Sequence, residues 1–216
     1  MTSTSISIAV VSDFACPWCL VGLHRLRKAI ELRPSLNFRL SWQPFQLNPD
    51  MPREGQNRRE YYRNKFGDEG TRAHHEALKE AGLEEGIIFC DTPDAIAPNT
   101  LSAHVLMLWA ANDESVNTNA LAEKLFNAHH IECENIGDFD VLTRIAEEVG
   151  MNRTLVSSKL ASGDDEAEVT EQICRYISGG VSGVPFFIFN DKYGISGAQP
   201  PDTLVSIFDQ VSSEDG

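Results

Sequence analysis

The chain has 216 residues, and its 32 acidic against 18 basic side chains leave a formal charge of −14, with an isoelectric point near 4.8. That charge makes nucleic acid and anionic membrane surfaces poor partners, because both are bound through excess Lys and Arg. Hydrophobic residues at 42% and charged residues at 23% are those of an ordinary globular domain, which excludes disorder and collagen-like repeats, and no apolar run reaches the ~18–20 residues of a membrane helix.

The first residues, MTSTSISIAVVSDF, show no basic stretch ahead of an apolar core, so the chain reads as a mature cytoplasmic protein. Ser5 to Ser12 is a β-branched apolar run, the signature of a buried strand. Cys16-Pro17-Trp18-Cys19 follows and opens a helical pattern in which Cys19, Leu23, Leu26 and Ile30 share one face. Pro34 stops it. Leu36, Phe38, Leu40 and Trp42 then alternate with polar residues, as on an edge strand with one wetter face. Strand, helix, strand makes a βαβ unit. Residues 46–56 hold two prolines and a glycine and read as a linker.

Helical periodicity dominates from there. Helices are expected at Arg58 to Phe66, Thr71 to Ala81, Thr100 to Ala111, Thr118 to His129, Asp138 to Val149, Thr154 to Ala161 and Asp164 to Ser178. Asn99 and Asp138 are candidate N-caps, and Gly82 and Gly150 candidate C-caps. Pro185 to Asn190 and Tyr193 to Ser196 flank Asp191-Lys192 as a tight hairpin. Pro201 suits the first turn of a closing helix. The fold class this order predicts is α/β. Residues 1–50 and 163–216 would form a thioredoxin-like domain (β-α-β … β-β-α), and residues 51–162 an all-helical insertion.

Five cysteines, an odd number in a reducing compartment, argue against a structural disulfide framework. Cys16 and Cys19 are the one close pair. A structural zinc site would need two more ligands at suitable spacing, and His129, His130 and Cys133 fit no common knuckle. At a turn from a buried strand into a helix, Cys16 sits where unpaired N–H groups and the helix dipole favour an anion. The thiolate is the reacting form of cysteine, and Cys19, one turn deeper, is placed to attack a mixed disulfide on Cys16. Pro17 at the helix start costs no hydrogen bond. In Gly183-Val184-Pro185-Phe186 the proline opens an apolar strand, a position compatible with a strand-start proline or with a cis bond. A cis bond would leave the Val184 backbone free to pair with an extended substrate segment.

The segments SDFACPWCLVGLHRLRKAI, IAPNTLSAHVLMLWA and GVSGVPFFIFNDKYGISGAQPPDTL resemble the DsbA-like oxidoreductases of the thioredoxin superfamily, in particular their FrnE-type cytoplasmic branch. The resemblance implies a thiol–disulfide oxidoreductase in which Cys16 is the nucleophile, Cys19 the resolving thiol and Pro185 the cis-proline. Pro17, Trp18, Val184 and Pro185 would contact substrate. It implies no cofactor and no metal. The implied partners are disulfide-bearing proteins or small-molecule thiols, glutathione among them, with a homodimer as in some relatives. Trp18 replaces the histidine of the strongly oxidising members, so a less oxidising couple is expected. Two other readings stand beside it: a glutathione-dependent isomerase or transferase of the kappa-class or chromene-carboxylate isomerase type, which usually has serine in place of Cys16, and a non-enzymatic polypeptide-binding module. Cys90, Cys133 and Cys174 read as packed or surface thiols, with Cys174 buried beside Ile173. His104 reads as a core histidine, His74-His75 and His129-His130 as solvated faces, and His24 as a candidate for tuning Cys16.

Overall fold

The computed structural model describes residues 5–214. Strand β1 (Ser5–Ser12), helix α1 (Pro17–Glu31) and strand β2 (Asn37–Pro44) form the expected βαβ unit, with β1 and β2 parallel from Ser5↔Asn37 to Ser12↔Pro44. After α2 (Arg58–Glu85), α3 (Leu101–Ala111), α4 (Thr118–His130), α5 (Phe139–Glu148), α6 (Arg153–Ser162) and α7 (Glu166–Ser178), the chain returns with the hairpin β5 (Phe186–Phe189) and β6 (Tyr193–Ser196) and closes with α8 (Pro201–Glu214). The four-stranded sheet has the order β2-β1-β5-β6. β5 runs antiparallel to β1, with Val11 opposite Phe186. The fold is mixed α/β, a β-α-β start and a β-β-α finish around an inserted block of helices, the class the sequence predicted.

The central position of β1 follows from its composition. Ile6, Ile8 and Val10 point to one face, where Leu26 and Ala29 of α1 and Leu204, Phe208 and Val211 of α8 cover them. Val11 points to the other, against Phe45 and Val181. Apolar side chains on both faces suit a strand that is covered from both sides. A larger core joins α1 to the insertion: Phe14, Cys19, Leu20 and Leu23 pack with Leu106, Leu121, Leu125 and Phe126. Burying apolar surface at roughly 25 cal/mol per Å², this cluster fixes the helical block over the start of α1.

Several expectations are corrected. The stretch 46–56 is not wholly a linker, because Gln56 begins a two-residue ladder, β3 (Gln56–Asn57) with β4 (Ile96–Ala97). The helices expected from 58 and 71 are both present, as the two segments of α2 on either side of a kink. Gly67 interrupts α2 with φ 70°, ψ 174°, a left-handed φ that suits glycine. The second segment extends past Gly82, and Gly86 (φ 74°) is its cap. A side chain at Gly82 would meet the Phe89 ring at 2.7 Å, so packing placed that glycine.

The cysteines differ most. Cys90 and Cys133 form a disulfide across 43 residues of sequence, with Cα atoms 5.7 Å apart. They are not packed or surface thiols: the loop after α2 and the loop after α4 converge, which spacing in the chain does not reveal. Cys174 is exposed rather than buried, because α7 turns Val169 and Ile173 inward and leaves the next position outside. His129 and His130 are buried, not solvated.

Candidate functional site

The C-terminal end of β1 delivers Asp13, Phe14 and Ala15 to a tight turn, in which the Cys16 N–H donates to the Asp13 carbonyl (2.9 Å). Cys16 is the N-cap of α1, in extended conformation (φ −87°, ψ 111°), and Pro17 occupies the first helical turn. The Cys19 N–H donates to the Cys16 carbonyl (3.0 Å). The helix N–H groups thus gather beneath the Cys16 sulfur, where partial positive charge accumulates. Cys16 and Cys19 are both free thiols and both buried. Burial pushes the Cys19 thiol well up, and the hydrogen bond and charge of Cys16 push it further.

Register brings the second element to the same place. Val11 faces Phe186, so the residues just before β5 lie beside the turn after β1. The Val184–Pro185 peptide is cis, and the Cys16 thiol donates to the Val184 carbonyl at 3.6 Å. Pro185 reaches α1 because position 22 lacks a side chain: a Cβ on Gly22 would lie 2.9 Å from Pro185 Cγ. The Pro185 carbonyl is held by the Gly197 N–H (2.8 Å). Among the described residues, the Val184 N–H donates to no backbone carbonyl.

Below the turn lies a polar cluster. The Asp13 carboxylate accepts from the N–H groups of Ala15 (3.1 Å) and Leu47 (2.7 Å). His104 Nε2 lies 3.8 Å away and donates to the Phe45 carbonyl (2.9 Å). Burial alone would raise the Asp13 pKa, but the neighbouring His104 ring and the two backbone donors outweigh it and hold the carboxyl below its ordinary range. Asp13 therefore braces the turn. His130 Nε2 donates to the Phe14 carbonyl (3.0 Å), and the Phe14 ring packs on Phe126 and His104, so Phe14 belongs to the core. His24, half-buried, has Glu85, Arg27 and Glu123 as its charged neighbours and does not line the Cys16 cleft.

A cavity of about 280 Å³ opens over Cys16, between Pro17, Trp18 and Val184 on one side and the first segment of α2 on the other. Tyr62, Phe66 and His74 form its aromatic wall, with ring centroids 5.4–5.9 Å apart. Burial pushes the Tyr62 hydroxyl up to about 12. Arg58 separates this cleft from a second cavity of about 340 Å³ that reaches Cys90. Its Nη2 donates to the Cys90 carbonyl (2.7 Å) and lies 3.5 Å from each sulfur of the Cys90–Cys133 disulfide.

The structure thus brings Cys16, Cys19, Pro17, Trp18, Val184 and Pro185 together. Sequence reading missed Arg58 and Tyr62, which no motif marks, and it misplaced His129 and His130. For the two histidines a signal was present: Leu121, Ala122, Leu125, Phe126, His129 and His130 continue one helical stripe.

Residues 7–209 match the family model described as DSBA-like thioredoxin domain. Among solved structures, the chain is similar to a probable DsbA oxidoreductase of Streptomyces coelicolor, SCO1869, with 26% identity and a TM-score of 0.87 over 97% of this chain and 91% of that one. It shares its fold with a 2-hydroxychromene-2-carboxylate isomerase (16% identity, TM-score 0.71, 97% of both chains). The cytosolic disulfide reductase DsbM of Pseudomonas aeruginosa, solved with GSH, has the same fold (18% identity, TM-score 0.62, 95% of this chain and 98% of that one).

Proposed function

The chain belongs to the DSBA-like thioredoxin domain family, and on that premise we propose that it catalyses thiol–disulfide exchange through Cys16 and Cys19. The observation that carries this reading is Cys16 at the N-cap position of α1, its thiol on the Val184 carbonyl, with Cys19 buried one turn behind it. In this reading residues 1–50 and 163–216 supply the exchange centre, and the insertion, 51–162, supplies the facing wall of the cleft.

The Cys16 thiolate attacks one sulfur of a substrate disulfide; the substrate S–S bond breaks and the departing thiolate takes up a proton. Cys19 is held protonated by burial and by the neighbouring Cys16 charge. Once Cys16 is tied up as a mixed disulfide that charge is gone, and Cys19 ionises more easily. It then attacks Cys16 Sγ, releases the second substrate thiol and leaves the Cys16–Cys19 disulfide. Two electrons pass from the dithiol to the substrate, and the reverse sequence oxidises substrates. The Val184 backbone, before the cis proline, is suited to pair with an extended chain alongside Cys16, while Pro17 and Trp18 contact it from the helix side.

We assign the protein to the cytoplasm, which the cytosolic DsbM supports; among the described residues no helix is long and apolar enough to cross a membrane. A reducing compartment keeps the dithiol populated and favours reductase or isomerase duty on protein or small-molecule disulfides, glutathione included. The likeness to the chromene-carboxylate isomerase supports a second reading, a glutathione-dependent isomerase; a resolving Cys19 has no part in that chemistry. The deciding experiment is trapping. Cys16→Ser should reduce disulfide reductase activity to the buffer background, and Cys19→Ser should accumulate mixed disulfides on Cys16 that mass spectrometry identifies. Saturable glutathione binding with unchanged turnover in the absence of both thiols would replace this reading with the isomerase.

A further inference from the structure

The chain is strongly acidic, yet its unpaired cations are not scattered evenly. Thirteen of the 18 Lys and Arg side chains make an ion pair with a carboxylate. Among the described residues, Arg39, Arg58, Lys65, Arg72 and Lys79 have no such partner. Two of these five, Arg58 and Lys65, line the Cys16 cleft, and Arg58 and Lys79 line the adjoining cavity. The one carboxylate in the Cys16 cleft, Asp13, is buried and already accepts from two backbone donors.

The placement is built rather than incidental. Arg58 and Lys65 are seven residues apart on the first segment of α2, which puts them on one helix face. The Arg58 guanidinium is fixed by the Cys90 carbonyl, and the Lys65 ammonium lies on the Tyr61 hydroxyl (2.8 Å) and over the Tyr61 ring (5.2 Å to its centroid). Burial lowers the Arg58 pKa, and the more distant Tyr62 and Asp91 only partly offset it. Guanidinium and ammonium groups recognise carboxylates by charge-assisted hydrogen bonds.

We propose that Arg58 and Lys65 are specificity residues that bind carboxylate groups flanking the sulfur of the substrate, so that the cleft takes carboxylate-bearing peptide disulfides. This rests on the exchange chemistry assigned above to Cys16. It runs against the field of the molecule as a whole, since a net charge of −14 repels anions and would by itself favour basic substrates.

The test compares exchange rates of the reduced protein with three otherwise identical peptide disulfides carrying Glu, Gln or Lys beside the cysteine. Each rate is divided by that for the same peptide with free 2-mercaptoethanol, which removes differences in intrinsic disulfide reactivity. The Glu peptide should lead the Gln peptide by about three- to ten-fold, the range of one or two partly exposed charge pairs, with the Lys peptide last. Lys65→Gln, an exposed position whose change leaves the core untouched, and Arg58→Gln should each bring the Glu-to-Gln ratio toward one. Arg72→Gln, which removes an unpaired cation outside both cavities, should preserve it. At 1 M salt, where screening acts over about 3 Å, the ratio should shrink. The same Glu-flanked cysteine offered within a twenty-residue chain separates the two sources of this chemistry: a preference kept there indicates polypeptide substrates, and one confined to the short peptide indicates a small acidic thiol. Lysine-flanked peptides reacting fastest, or Arg72→Gln erasing the ratio as Lys65→Gln does, overturns the proposal. Equal rates for all three peptides sink it while leaving the exchange chemistry standing, whereas failure to turn over any of them sinks both.

Discussion

Two histidines at the end of α4 give the protein a built-in acid sensitivity. His129 and His130 are buried; burial holds His129 down at about 4 and His130 well below its ordinary value. The folded state keeps both neutral, while the unfolded chain protonates them near pH 6.5. Unfolded chains therefore bind more protons as pH falls from 6.5 toward 4, and stability falls with it. For His129, a gap from 6.5 to about 4 amounts to about 3 kcal/mol. Urea unfolding at pH 7 and pH 4.5 should show this loss, and His129→Gln should remove its own share while leaving that of His130. Asp13 acts at lower pH with its own sign: its depressed value stabilises the fold above the unfolded carboxyl range and is lost as pH falls through the folded value. At this scale the reactive pair was legible, because Cys16 and Cys19 lie within four consecutive residues. Arg58 was not, because nothing beside it in the chain shows that its guanidinium ends on the Cys90 carbonyl.

Helix α1 and the turn before β5 work as one device. Gly22 lies in mid-helix, where glycine costs about 1 kcal/mol against alanine. That cost is offset by contact, since Pro185 and the Phe187 ring occupy the space a side chain would take (2.9 and 3.4 Å). A proline ring cannot rotate away, so Gly22→Ala should destabilise the protein by about 1–3 kcal/mol instead of giving the usual helix gain. It should also slow exchange at Cys16 by displacing Val184. Thermal unfolding and alkylation rates of the same variant check both effects; a rise in stability would show that the contact yields. Helix existence along the insertion was readable from periodicity alone. The break at Gly67 was readable too, and there the chain takes a non-helical φ of 70°; the cap was not, since it falls at Gly86 and Gly82 instead gives room to the Phe89 ring.

Across the whole molecule, the Cys90–Cys133 bond closes a loop of 43 residues within the insertion. Cross-linking a loop of that length restricts the unfolded chain by about 4 kcal/mol in the chain-entropy account, and measured values commonly run about 2–4. Replacing both cysteines by alanine should lower the unfolding free energy by that order, measured by urea denaturation without reductant in a background carrying Cys16→Ser and Cys19→Ser. A change below about 0.5 kcal/mol would mean that the unfolded chain is already restrained there.

The local sequence was enough for the α/β class, the βαβ start, the returning hairpin and the Cys16–Cys19 pair, because each rests on interactions between residues close in the chain: strand alternation, helix periodicity, and two thiols one turn apart. Only the tertiary structure decided that Cys90 meets Cys133, that His129 and His130 are interior, and that Arg58 and Lys65 line the cleft over the sulfur. These depend on how the insertion packs on α1. That packing sums many weak contacts between residues far apart in sequence, and no short stretch of the chain encodes it.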